Sequence, residues 1–300
     1  MSLRSDIRAK SKLLNREYLL PAVEKLERGV YKLVRGLLGQ FATERGRLLA
    51  TNENRFTLLR LDTPLLNFLG VEMGSLVPDY VEDFDELERL NRAIYSGLLT
   101  PAEAATLSRL NFSAERTYLR DEVIRSLTSL EGLRTNVVLP VRKILYRGIT
   151  FRTPIREIES QLRTEILSKD SSSRLLRYSR QVTQDAVSQF DGAINDRIRD
   201  DLQLDGIVYV GSLIKTSRSN CRELVQGSGR FGDLAVEPGM YRVADLPKIV
   251  DRARGRSGWN EACTPETFAQ FRGGWGCRHE CYYIRLENEE SRSAIKKAYD

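Results

Sequence analysis

The stretch FRGGWGCRHECYYI, residues 271–284, gathers two of the four cysteines, the single histidine and one of the two tryptophans of the chain. Cys277-x-His279-x-Cys281 offers three soft ligands, and Cys221 or Cys263 could add the fourth of the tetrahedral set that zinc prefers. The spacing departs from the C-x2-C of a zinc knuckle, and strand alternation would put all three on one face. A disulfide clasp, for instance Cys221 to Cys277, is the second reading, and it depends on the redox compartment. The third is a tight core turn of buried thiols, with the histidine hydrogen-bonded to its own turn. Residue types alone leave the three open.

Catalysis has less to work with. Cys277 with His279 is the one thiolate–imidazole pairing the sole histidine permits, and a working dyad usually draws its base from elsewhere. Two-histidine nuclease and protease sites need a second histidine. No G-x-x-x-x-G-K-[ST] occurs, and GSGRFG at 227–232 lacks the strand–turn–helix setting of a phosphate loop. No catalytic residue and no organic cofactor site is therefore assigned, and zinc is the one cofactor the residue types suggest. The glycines of RGGWG supply backbone able to reach φ > 0 beside Trp275, which is expected to plug the core.

The elements that must position these residues are mostly helices. Leu19, Val23, Leu26, Val30, Leu33 and Leu37 follow spacings of four and three, the seam of a helix packed along another helix. Pro21 could break it near its start, and Gly29 and Gly36 weaken it or permit close approach. Residues 51–84, with Gly70, Gly74 and Pro78 inside, read as short elements and loops that could touch a neighbour. Thr100, Pro101 and Glu103 announce a helix start, and Pro140 marks a break or kink in the helical run that follows. Thr153 and Pro154 announce another start. After the polar turn at 168–174, Leu175, Tyr178, Val182, Ala186, Phe190, Ala193 and Ile198 mark one side of a long helix.

At Asp205 the texture changes. DGIVYVG reads as a strand, LPKIVDRAR and TPETFAQF as short helices, and CYYIRL as a last strand. The fold class expected is mainly α with a compact α+β C-terminal region, a helical bundle followed by a loop-rich small sheet. The domain boundary is placed near residue 145, giving a helical packing domain at 1–145 and an α+β domain at 146–300.

Composition narrows the setting. Of 300 residues, 41% are hydrophobic and 29% charged, the balance of a globular chain that is not membrane-bound. The start, MSLRSDIRAKSKLLNREYLL, lacks the apolar core of a signal peptide, so the chain is expected to stay on the cytoplasmic side until assembled. A net charge of +6 suits a place near nucleic acid, but 41 acidic residues interleave with 47 basic ones in a mixed-charge surface.

The order of these parts carries a resemblance. A long helix, a strand leading into KTSRSNCREL, a glycine-rich stretch and the closing RGGWGCRHEC resemble the C-terminal domain of tailed-phage head morphogenesis proteins, the Mu-type minor head family. Thr216, Arg218, Cys221 and Glu223 fit its first polar segment, and Cys277, Arg278, His279 and Cys281 its closing cluster. The resemblance covers about residues 141–286. It departs in the cluster, where Cys277 precedes His279 instead of following it. The resemblance implies a non-catalytic virion protein of the head or head–tail junction, assembled in the host cytoplasm and present in several copies or as a homo-oligomer. Its partners would be the portal or other head and neck proteins, with contact to packaged DNA and none to a membrane. Two alternatives are a zinc-dependent nucleic-acid-binding module and an enzyme of transferase or toxin type.

Overall fold

The computed structural model describes residues 2–14, 20–75, 78–127, 129–167, 173–273 and 277–299. In chain order the first helices are α1 (Leu3–Leu14), α2 (Leu20–Leu38), α3 (Asn52–Arg60), α4 (Asp62–Gly74), α5 (Pro78–Leu98), α6 (Pro101–Leu107) and α7 (Ser113–Leu127). Then come α8 (Leu130–Leu133), a π-helical turn (Arg134–Val138), α9 (Leu139–Thr150), α10 (Ile155–Ile166) and α11 (Arg174–Leu202). The last are α12 (Ser219–Gln226), α13 (Leu246–Ala253), α14 (Phe268–Phe271) and α15 (Glu289–Tyr299). Strands β1 (Thr43–Glu44) and β2 (Arg47–Leu48) form a hairpin. Strands β3 (Gly206–Val210), β4 (Ala235–Glu237), β5 (Met240–Arg242) and β6 (Glu280–Ile284) form an antiparallel sheet in the order β4-β5-β3-β6. The protein is thus mainly helical, with a compact α+β C-terminal region, as the sequence predicts.

The chain makes two compact units, and neither is continuous in sequence. A sheet unit comprises Met1–Arg16, Val81–Arg120 and Gln184–Asp300, and a helical unit comprises Glu17–Tyr80 and Asp121–Thr183. The boundary expected near residue 145 falls inside α9.

In the helical unit, α2 buries Val23, Leu26, Val30, Val34 and Leu38, and leaves Leu33 and Leu37 half-exposed. The stripe starts on the expected seam and then leaves it, because a straight helix of 3.6 residues per turn drifts off a 3.5-residue repeat. Leu19 lies outside the described residues, and Pro21 sits in the first turn of α2, where its missing N–H costs nothing. A Cβ on Gly29 would lie 2.6 Å from the Phe68 ring, so this glycine lets α4 approach α2. The described residues of 51–84, expected as short elements and loops, are almost all helical, in α3, α4 and the start of α5. The Thr51 hydroxyl caps α3, and Gly70 sits inside α4 with open space around it. Pro140 does not break its helix either. The chain widens into the π turn just before it, with the Leu139 N–H donating to the Arg134 carbonyl. Thr153 is not the cap of α10. Its carbonyl accepts from the Leu48 N–H in β2, and the helix starts after Pro154.

In the sheet unit, every residue of β3 and β6 is buried, so the sheet is covered on both faces. One face carries Val208, Val210, Met240, Tyr282 and Ile284, packed with Ile7 of α1, Ile94 and Leu98 of α5, and Ile295 of α15. Alternation turns Ile207, Tyr209, Cys281 and Tyr283 to the other face, where the Tyr283 hydroxyl donates to Asp196 of α11 at 2.7 Å. Thr100 opens α6 with a capping box closed by Glu103, as its spacing predicts.

Candidate metal centre

Strand β3 runs toward the site and ends at Val210, and the register pairs Val210 with Glu280 and Tyr209 with Cys281. His279 and Cys277 therefore lie just before β6, beside the end of β3. Gly211, at φ +143, makes room for the imidazole: a Cβ there would lie 2.9 Å from His279 Cδ2. On the other side, α12 begins after Arg218 and buries Asn220, Cys221 and Leu224 along one face. Gly273, at φ +65, passes over both sulfurs, since its Cβ would lie 2.3 Å from Cys277 Sγ and 3.1 Å from Cys221 Sγ. Only glycine fits both that conformation and that approach.

The result is a compact group. Cys221 Sγ and Cys277 Sγ are 3.9 Å apart, and Cys277 Sγ is 3.4 Å from His279 Nδ1. The ligand atoms of Cys221, Cys277 and His279 all lie within 4.8 Å of one another, and all three residues are buried. The Tyr209 hydroxyl donates to Cys221 Sγ at 3.5 Å and lies 3.6 Å from Cys277 Sγ. Its ring stacks on the imidazole with centroids 5.5 Å apart. Among the described residues His279 Nε2 has no hydrogen-bond partner.

A buried polar chain fixes the backbone here. The Arg272 guanidinium donates to the carbonyls of His279, at 2.8 Å, and Ala269, and pairs with Asp191 at 3.4 Å. Asp191 also accepts from Lys10 of α1 and Asn91 of α5, each at 2.9 Å. Nothing in residue type announced Lys10, Asp191, Arg272 or Tyr209. The one available signal was Lys10 standing between Ile7 and Leu14 on the apolar stripe of α1.

Electrostatics separates the four thiols. The hydrogen bond from Cys221 holds Cys277 well below the usual thiol range, helped by His279 and Arg272 against the cost of burial. Cys221 is raised correspondingly, by the same hydrogen bond and by burial. Burial also raises Cys263 and Cys281, which keeps them as thiols.

Of the residues expected at the site, Cys221, Cys277 and His279 come together. Cys281 is fully buried opposite Tyr209 but is not in the group, and neither is Cys263. All four cysteines are free, and the Cys221–Cys277 pair offered for a disulfide stands at 3.9 Å, against about 2.05 Å for the bond. Trp275 and the polar turn at 168–172 lie outside the described residues. A cavity of about 560 Å³ opens over the group, lined also by Ser212, Thr216, Ser217, Arg218 and Arg278. Compared with known proteins, the chain matches no family model, no curated protein and no solved structure.

Proposed function

We propose that this chain is a structural protein of a tailed-phage particle, a minor head or head–tail junction component incorporated during head assembly and without catalysis. One observation carries the reading: the two segments on which the resemblance rests converge on one buried cluster. Arg218 of the first segment donates to the Gly273 carbonyl at 2.5 Å, and Cys221 meets Cys277 across 3.9 Å. The cluster then acts as a clasp that ties α12 to the start of β6. The portal or another head or neck protein would be the partner, with several copies per particle. A mixed-charge surface with a net +6 tolerates packaged DNA nearby.

The test is particle composition. Particles of the phage that encodes the chain are banded on a density gradient, and their proteins are quantified by mass spectrometry. The chain is expected in the head band at a fixed copy number relative to the portal, and a nonsense allele should leave aberrant or empty heads. A chain found free in the lysate and absent from purified particles overturns the reading.

A further inference from the structure

We infer that Cys221, Cys277 and His279 bind one zinc ion, with the fourth coordination position open to the cavity above them. The inference stands on geometry and is independent of the virion reading. Metal–sulfur bonds of about 2.3 Å and a metal–nitrogen bond of about 2.0 Å at tetrahedral angles put two sulfurs about 3.8 Å apart and sulfur and nitrogen about 3.5 Å apart. The site has 3.9 Å and 3.4 Å. These two separations match ligands around a common centre, the third pair, Cys221 with His279, lies within 4.8 Å, and the sulfurs are too far apart for a sulfur–sulfur bond.

The chemistry of the donors agrees. Two thiolates and a neutral imidazole around a divalent cation form a neutral group, which a buried site can hold without an uncompensated charge. Each thiol releases its proton to solvent as its sulfur binds the metal, and no electron moves. The His279 imidazole lacks a partner at Nε2, and the ring's one polar contact among the described residues is at Nδ1, toward Cys277. A metal bond at Nδ1 would fix the tautomer, with the proton on Nε2, of a ring already stacked on Tyr209. The Tyr209 hydroxyl, 3.5 and 3.6 Å from the sulfurs, is placed to donate to bound thiolates.

Cys281, the ligand favoured by sequence spacing, is not in the group, so the protein supplies three donors. Three protein ligands and one free position are the pattern of zinc sites that accept water or an exogenous ligand. The cavity above the group is lined by Ser212, Thr216, Ser217 and the exposed Arg278, residue types suited to a small oxyanion such as phosphate.

The experiment uses the full chain, purified without chelator, with metal counted by native mass spectrometry and elemental analysis. One zinc per chain is expected, retained in Cys281→Ser and Cys263→Ser and lost in Cys221→Ser, Cys277→Ser and His279→Ala. Because ligand variants can fail to fold, the unsubstituted chain is also stripped and refilled with cobalt(II). A thiolate-to-cobalt charge-transfer band with intense tetrahedral visible bands is expected, and inorganic phosphate should shift the visible bands. A folded chain that takes up neither zinc nor cobalt overturns the site. Retention of metal in His279→Ala, or its loss in Cys281→Ser, overturns the ligand set. A cobalt spectrum indifferent to phosphate at saturating concentration overturns the open position.

Discussion

Lys10 takes a full charge into a place with no exposed surface, and four groups meet it there. Its Nζ lies 2.9 Å from Asp191, 3.1 Å from the Asn91 side-chain oxygen, 3.8 Å from the buried Glu280 carboxylate and 4.0 Å above the Tyr282 ring. Replacing Lys10 by Met would leave the Asp191 carboxylate buried with only Arg272 as counter-charge, at 3.4 Å. Removing one partner of such a pair costs about 3–5 kcal/mol, so urea denaturation should show that loss at unchanged m-value. Adding Asp191→Asn to Lys10→Met should recover part of it, and a loss below about 1 kcal/mol would mean the ammonium reaches water. Asp191 and Asp196, on the same helix, titrate in opposite directions. Burial pushes Asp191 up, but Lys10, Arg272 and the hydrogen bonds donated by Asn91 and Lys10 outweigh it, so its carboxyl sits below the usual range. Its stabilisation is complete above the ordinary carboxylate pKa and is lost as pH falls below it. Burial pushes Asp196 up to about 6, against the Tyr283 hydroxyl, Arg199 and two backbone N–H groups. There the folded state binds the proton more tightly than the unfolded one, so stability rises as pH falls through 6 toward 3.8. The unfolding free energy of the native chain minus that of Asp196→Asn should therefore grow between pH 7 and 4.5, and a flat difference would contradict the assignment.

Among the elements, α14 shows how a four-residue helix is held in place. Thr267 gives it no side-chain cap. Its free N–H groups at Ala269 and Gln270 donate instead to Asp196 of α11, at 3.1 and 3.0 Å. That contact requires α14 to lie directly on α11, and Gly192 permits it, since a Cβ there would fall 2.1 Å from the Ala269 carbonyl oxygen. Gly192→Ala must push a backbone aside and should cost about 3 kcal/mol, the upper end of overpacking. Gly70→Ala, inside α4 with nothing within 4 Å, should instead stabilise by about 0.5–1 kcal/mol. Thermal melts of the two variants side by side should move in opposite directions, and equal shifts would contradict the close approach. The same elements show what the sequence displayed and what it hid. GIVYV and CYYI were legible as strands because burial on both faces makes a strand read as an unbroken apolar run. Pro140 looked like a break because a missing N–H is visible in sequence, whereas the π turn that absorbs it is not. The hairpin of β4 and β5 escaped because three-residue strands leave no pattern to count. Cys221, Cys277 and His279 were legible through scarcity. Asp191, Asn195, Asp196 and Arg199 were not, because charges at helical spacing look like a solvated face until the fold buries them.

For the whole molecule, the distribution of exposed apolar side chains bears on assembly. Single exposed hydrophobics are ordinary on any surface. Among the described residues, however, Phe56, Leu59, Val71, Leu130, Leu139, Tyr146 and Phe151 belong to the helical unit, whereas only Tyr118, Ile214 and Val236 belong to the sheet unit. Phe56 and Leu59, 62% and 59% exposed, stand three residues apart on one face of α3. The stretch that contains them is the one whose sequence suggested contact with a neighbour. If the chain is a particle component, the helical unit is the better place for its partner to sit, because burying those rings and branched chains is favourable at about 25 cal/mol per Å² of apolar area. Replacing both residues by Lys removes that gain without disturbing the core, so stability in urea should stay within about 0.5 kcal/mol of the parent. Incorporation into density-banded heads should then fall several-fold, while the cysteine and histidine cluster, in the other unit, keeps its metal content unchanged. Normal incorporation of a folded Phe56→Lys, Leu59→Lys chain would remove this face of α3 from the contact surface and move the search to Tyr146 and Phe151.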